Sequence, residues 1–94
     1  MTLMALQQLL RDYQDGDEHG WDTEFDWLRA NHAEALADLR ASVVKDGIRE
    51  PVLLGSDGRV WDGHHRLCVA LDLGLHEVPV TATWHKADKA RPAA

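Results

Sequence analysis

The sequence has almost no cysteine and no long apolar run. Cys68 is the one cysteine among 94 residues, so a disulfide within the chain is impossible. No stretch approaches the roughly 20 consecutive apolar residues that a membrane-spanning helix needs. The first ten residues lack the basic flank and apolar core of a secretory signal. These deficits predict a cytoplasmic protein that does not contact a membrane.

Basic residues are also scarce. Ten lysines and arginines stand against 16 aspartates and glutamates, which gives a net charge of -6. Proteins that bind duplex DNA through their own broad surface depend on positive charge, so this balance argues against DNA binding by the chain alone. A local positive site on an acidic body remains compatible with it. The length predicts one small domain with a single core.

The periodicity of apolar residues predicts an α+β fold, with a short mixed sheet and packed helices. We expect an N-terminal helix and an acidic-aromatic segment in residues 1–30, the central domain in 31–86 and a flexible tail in 87–94. Thr2 is expected to cap the first helix and Asn31 the second, which ends near Gly47. The remaining expected elements are a hairpin of 52–54 with 59–61, a helix at 64–73 and a last strand at 77–84.

Three details of packing also follow from the pattern. Pro79 lacks an N–H group, so the last strand is expected to lie at an edge of the sheet or to turn that position outward. Val80 and Trp84 are expected in the core. The second helix is expected to bury one stripe of apolar side chains, namely Ala35, Leu36, Leu39, Val43 and Val44.

Residues 15–26 combine six acidic side chains with interleaved aromatic ones. The commoner interpretation of such a segment is a solvated loop whose aromatic rings pack onto the core. The alternative is a surface that binds a basic protein, because aromatic residues are enriched at interface anchors. On that alternative, the partner-binding residues are Trp21, Asp22, Asp26 and Trp27.

Residues 62–66 join a strand to a helix through a glycine. The start of a helix carries N–H groups without intrahelical partners and the positive end of the helix dipole, which together favour an anion. Arg66 adds a planar, permanently charged group suited to phosphate oxygens. The pattern therefore indicates a phosphate-binding corner. The alternative is that Asp62 merely caps the helix while the following side chains point into water.

Several short motifs, in this order and spacing, resemble the ParB/sulfiredoxin superfamily and its ParB-like nuclease domain. They cover roughly residues 33–83 and read Gly47-Ile48, Glu50-Pro51-Val52, Asp62-Gly63-His64-His65-Arg66, Leu73-Gly74 and Val78-Pro79-Val80. Members include partitioning clamps that hydrolyse CTP, sulfiredoxins that use ATP, free-serine kinases and proteins described as nucleases. The resemblance implies a nucleotide held at the corner and phosphohydrolase or phosphotransfer activity. The form of the corner is closest to the kinase-like and small stand-alone branches.

The resemblance also implies roles for individual residues. Gly63 would permit close approach of a phosphate, His64 and His65 would donate hydrogen bonds, and Arg66 would neutralise charge. Asp62 would cap the helix or hold Mg²⁺ through water, so the expected cofactor is a nucleoside triphosphate with Mg²⁺. Glu50 is the candidate general base, with an exposed loop carboxylate as the commoner alternative. No haem or zinc site is expected.

The sequence departs from the superfamily in two places. Sulfiredoxins carry their catalytic cysteine where His64 stands, whereas Cys68 lies within the helix and is expected to be a buried thiol. Only about ten residues follow the expected last strand, so we expect no helix-turn-helix DNA reader. A second hypothesis therefore stays open, in which the chain is a non-catalytic phage or accessory adaptor that binds another protein.

Overall fold

A hairpin, a helix and a return strand form the centre of the fold. The computed structural model describes residues 2–15 and 20–82. The elements, in chain order, are β1 (Thr2–Ala5), α1 (Leu6–Asp12), α2 (Trp21–Asn31), α3 (Ala33–Asp46), β2 (Val52–Leu54), β3 (Val60–Asp62), α4 (His64–Leu73) and β4 (Glu77–Ala82).

The four strands form one mixed sheet in the order β1-β4-β2-β3. β2 and β3 are antiparallel, β2 and β4 are parallel, and β1 is antiparallel to β4. Because β2 and β4 run in the same direction, the chain needs a crossover between them, and α4 supplies it. The α+β fold with a short mixed sheet and packed helices is confirmed.

The turn between β2 and β3 is held by its own polar groups. The N–H of Gly55 donates to the carbonyl of Arg59 at 2.8 Å. One carboxylate oxygen of Asp57 accepts from the backbone N–H of Arg59 and from Nε1 of Trp61, each at 3.1 Å. Gly58 has φ 80°, the left-handed conformation that glycine adopts readily. The predicted hairpin is therefore confirmed, with its second strand beginning at Val60.

The helix α4 lies at the centre of the core and contacts α1, α2, α3 and β2. Four consecutive residues of α4 are buried, because α4 has neighbours on most of its circumference; they are Leu67, Cys68, Val69 and Ala70. The other buried apolar side chains come from every remaining element except β1 and form one cluster with them: Leu6, Leu9, Phe25, Leu28, Leu36, Val43, Val52, Leu54, Val60, Val78 and Val80.

The predicted start of the N-terminal helix is wrong. Residues Thr2–Ala5 form β1, and the helix begins at Leu6 after the extended residue Ala5. β1 pairs residue by residue with the distant strand β4, and Leu6 also donates to the carbonyl of His76 at 2.8 Å. Tertiary hydrogen bonding to a strand more than seventy residues away therefore overrides the local helical pattern.

The loop interpretation is wrong for residues 21–26, and the expected Asn31 cap is also wrong. Residues Trp21–Asn31 form the helix α2, whose Phe25 and Leu28 are buried. Asn31 is the last residue of α2, and its side-chain amide donates to the carbonyl of Trp27 at 2.9 Å. His32 instead separates α2 from α3. Asp22 and Asp26 lie on the exposed side of this amphipathic helix, whereas Glu24 is largely covered.

Three smaller expectations need correction. Pro79 lies in β4, which has β1 on one side and β2 on the other, so it is not at an edge of the sheet. Ala35 and Val44 are exposed, because the buried stripe of α3 follows Leu36 and Val43. Val80 is buried as predicted. Trp84 and the tail 87–94 lie outside the described residues.

Within residues 2–15 and 20–82, every helix is too short or too polar to cross a lipid bilayer.

The burial of Phe25 gives a direct test of whether α2 belongs to the core. Phe25→Ala is expected to lower the free energy of unfolding by about 3–5 kcal/mol, because it removes a fully buried ring. Trp27→Ala on the same helix is the control, since Trp27 is 52% exposed. Urea unfolding of the two variants measures the difference, and equal losses would contradict the placement of α2.

Candidate functional site

Gly63 makes the turn from β3 into α4. Its φ of 113° and ψ of 16° are left-handed, and a Cβ atom built on it would lie 3.1 Å from the Cα and Cγ2 atoms of Val52. Gly63 is buried, and its carbonyl accepts the first helical hydrogen bond of α4, from Leu67, at 2.9 Å. The close approach that this glycine permits is therefore to β2.

Asp62 is the last residue of β3, and its side chain is exposed. Among the described residues, no side chain caps the first turn of α4 by a hydrogen bond. The sequence-based expectation that Asp62 caps this helix is therefore wrong. The N–H groups of the first turn stay at the positive end of the α4 dipole.

Arg66 is the third residue of α4 and is fixed at two points. Its Nη1 donates to the carbonyl of Pro51 at 3.1 Å, and its Nη2 lies 2.9 Å from Oε2 of Glu50. The Arg66 side chain is only 19% exposed, whereas that of Glu50 is 76% exposed. A guanidinium has five N–H donors, so these two contacts leave donors for a further acceptor.

Arg66 and Glu50 line a cleft of about 500 Å³ between the end of α3 and the start of α4. One wall of the cleft consists of apolar side chains. Its charged lining residues are two arginines, Arg49 and Arg66, and one carboxylate, Glu50. Its lining residues are Leu39, Ser42, Val43, Gly47, Ile48, Arg49, Glu50 and Arg66. Such a cleft can accept a ligand with an apolar part and an anionic group.

His64 points away from this cleft. Its Nδ1 lies 3.9 Å from Oε2 of Glu24 on α2, and its ring centroid lies 5.5 Å from that of Trp21. The His64 side chain is 21% exposed and the Glu24 side chain 14%. The side chain predicted to donate to a phosphate thus faces α2.

His65 also faces another part of the chain. Its Nε2 lies 2.9 Å from Nδ1 of His32, and the two rings are nearly parallel, at 10°. Burial lowers the pKa of His65, and the neighbouring His32 and His64 lower it further. Of the five predicted corner residues, the structure therefore brings only Arg66 to the cleft, together with Glu50 from the preceding loop.

The residues predicted to bind a partner lie on α2 and divide into two groups. Trp21 is half-buried, donates from Nε1 to the carbonyl of Tyr13 at 2.8 Å and packs on Phe25. Trp27, Asp22 and Asp26 are exposed. Trp21 is thus part of the packing of α2, and the other three form an exposed face.

Cys68 is buried in the middle of α4. Burial raises the pKa of its thiol, and the nearby Asp72 raises it further. A thiol with a raised pKa is protonated at neutral pH and is a poor nucleophile. Cys68 is therefore a packing residue, as the sequence predicts.

Sequence reasoning missed three residues of these sites. Ser42 and Arg49 line the cleft, and His32 bonds to His65. Arg49 directly precedes Glu50, a predicted site residue, so its positive charge could have indicated that it belongs to the same site. His32 is 33 residues from His65, and no local pattern links two positions so far apart.

The chain has no match among protein-family models, curated proteins or solved structures. Among the described residues, no group of three or more His, Cys, Asp or Glu side chains is placed to hold a metal ion. The chemistry of the side chains that line the cleft is therefore the basis for inferring its ligand.

The contact of Gly63 with Val52 predicts a specific cost of adding a methyl group. Gly63→Ala and Gly74→Ala both force alanine into a left-handed conformation, at about 1–2 kcal/mol each. A Cβ at Gly74 has no neighbour within 4 Å, whereas one at Gly63 meets Val52. We expect Gly63→Ala to be the more destabilising by on the order of 1 kcal/mol or more, as overpacking costs that much. Chemical denaturation of both variants tests this, and equal losses would exclude the close contact.

Proposed function

We propose that the cleft beside Arg66 binds a phosphate-bearing ligand, with a nucleotide as the ligand class. The observation that carries the proposal is the position of Arg66. Its guanidinium is largely covered, is oriented by the carbonyl of Pro51 and lies at the wall of a 500 Å³ cleft. An arginine already held in place loses little conformational freedom when it binds a planar or tetrahedral anion.

The electrostatics of the cleft favour the same ligand. Arg49 and Arg66 outnumber Glu50, so the cleft is locally positive on a chain whose net charge is -6. The carbonyl of Pro51 is neutral and does not compensate the charge of Arg66. A phosphate that reaches Arg66 competes with Glu50, whose carboxylate is exposed and therefore moves into water at little cost. The apolar wall formed by Ile48 and Leu39 suits a base or another flat apolar group.

The proposal includes membership of the ParB/sulfiredoxin superfamily. It also includes the activity that this resemblance implies, which is phosphohydrolysis or phosphotransfer in the cytoplasm. Glu50 is the residue that would accept a proton from an attacking hydroxyl, because it is the carboxylate at the cleft. Mg²⁺ bound with a nucleotide would neutralise phosphate charge. Asp62 does not line the cleft and has no assigned role there.

Calorimetric titration with ATP, CTP and GTP, with and without Mg²⁺, tests the proposal. The wild type is expected to bind at least one of them, and Arg66→Ala is expected to weaken that binding roughly tenfold to hundredfold. This range corresponds to the loss of about 1.5–3 kcal/mol for a charge-assisted hydrogen bond. His64→Ala is expected to have a much smaller effect, because His64 does not line the cleft.

Arg40→Ala is the matched control, since Arg40 is an exposed arginine of α3 that does not line the cleft. It removes the same charge and should leave affinity within about twofold, as distant surface charges are screened. Thermal unfolding of each variant shows that it is folded. Absence of wild-type binding at millimolar nucleotide, or an equal loss in both arginine variants, would reject the proposal.

A second candidate function rests on the exposed face of α2. Trp27 is 52% exposed, and Asp22 and Asp26, one turn apart on the same helix, are exposed as well. Large exposed aromatic rings flanked by like charges are typical of interfaces with oppositely charged proteins. The chain would then be a non-catalytic adaptor that binds a basic protein.

Charge reversal distinguishes this alternative. The double change Asp22→Lys and Asp26→Lys is expected to abolish capture of a basic partner from host lysate without changing the melting temperature. Glu34→Lys with Asp38→Lys is the control, because both acids are exposed one turn apart on the neighbouring helix α3. Identical capture by the two double variants, or no specific capture by the wild type, excludes the adaptor function.

A further inference from the structure

A pair of histidines joins two parts of the helical layer. His32 is the single residue between α2 and α3, and His65 is the second residue of α4. The 2.9 Å between Nδ1 of His32 and Nε2 of His65 is a hydrogen-bond distance. The ring centroids are 5.0 Å apart, and both side chains are half-buried. The pair thus links the α2–α3 junction directly to the first turn of α4.

The chemistry of this contact makes it sensitive to protons. In a neutral imidazole one ring nitrogen donates and the other accepts, so two neutral rings can share one N–H···N bond. A single proton added to the donor ring keeps that bond. A second proton makes both facing nitrogens donors, which removes the bond and leaves two positive charges about 3 Å apart. The contact therefore tolerates one added proton and is broken by two.

The groups around His65 oppose its protonation. Burial is the largest cause that lowers the pKa of His65 below its ordinary value, and the neighbouring His32, His64 and Arg66 lower it further. Glu24 on α2 acts in the other direction, because a carboxylate favours the charged form of His65. The uncharged form of His65 is thus the one that the fold stabilises.

We propose that His32 and His65 form a proton-operated latch that holds the start of α4 against the α2–α3 junction at neutral pH and releases it in mild acid. His65 has a lower pKa in the folded chain than in the unfolded chain, so the unfolded chain binds more protons below about pH 6.5. The stabilisation is complete above that pH and is lost as the pH falls through the pKa of the folded His65, which takes the second proton of the pair because His32 opposes its charge. Release removes the direct contact between His65 and the α2–α3 junction, where Trp27 packs edge-on against His32 at 5.0 Å.

Histidine ring resonances followed by NMR against pH provide the first test. The same ring in the urea-unfolded chain serves as the reference. We expect His65 to titrate at a lower pH in the folded chain than in the unfolded chain. We also expect His32→Asn to move the His65 midpoint upward, because the variant removes a neighbouring titratable ring while keeping a polar group near the position of Nδ1. Equal His65 midpoints in the folded and unfolded wild type overturn the latch, and this comparison requires no variant.

Urea unfolding near pH 7.5 and pH 5.5 provides the second test. In the double variant His32→Asn/His65→Gln, amide groups can still share a hydrogen bond but cannot take up a proton. The folding equilibrium constant of the wild type is expected to fall roughly twofold to tenfold more on acidification than that of the double variant, the range for one hydrogen bond. His76→Gln should retain the wild-type dependence. The latch is refuted if the double variant responds to acid as the wild type does.

Discussion

The contact between Gly63 and Val52 determines where α4 can lie. A side chain at position 63 would meet both the backbone and the methyl groups of Val52, so only glycine lets the chain turn from β3 directly against β2. The turn brings α4 across the sheet with Leu67 and Ala70 buried, and α4 then contacts α1, α2 and α3. Because interiors are close-packed, a displacement of this one turn would be transmitted to every helix.

The same turn also decides how three consecutive polar side chains are distributed. Successive residues of a helix point about a hundred degrees apart. His64 therefore faces Glu24, His65 faces His32, and Arg66 faces Glu50 at the cleft. A motif that looks in sequence like one cluster of phosphate ligands is divided among three neighbours. The first two contacts hold the helix layer together, and the third leaves a guanidinium oriented at a cleft.

Local signals predicted the parts of the fold that local chemistry determines. Asp57 and Gly58 marked the hairpin, and the stripe of Leu67 and Ala70 marked α4. The strand β1 could not be predicted in this way, because its hydrogen-bond partners lie in β4. The candidate site divides likewise: Arg66 and Glu50 were both predicted as site residues and they meet at the cleft, whereas the partner of His65 depends on how the helices α2 and α3 meet.

The pairing of β1 with β4 has a consequence for the synthesis of the chain. Thr2 faces Val80 and Ala5 faces Glu77, so β1 cannot pair until β4 has been synthesised. Until then the residues of β1 have no partner strand, while the hairpin and α4 can already form from neighbouring residues. Contacts between such distant positions require closure of a long loop and slow folding. The four-stranded sheet is therefore completed only after β4 has left the ribosome, and until then β2 exposes the edge that β4 later covers.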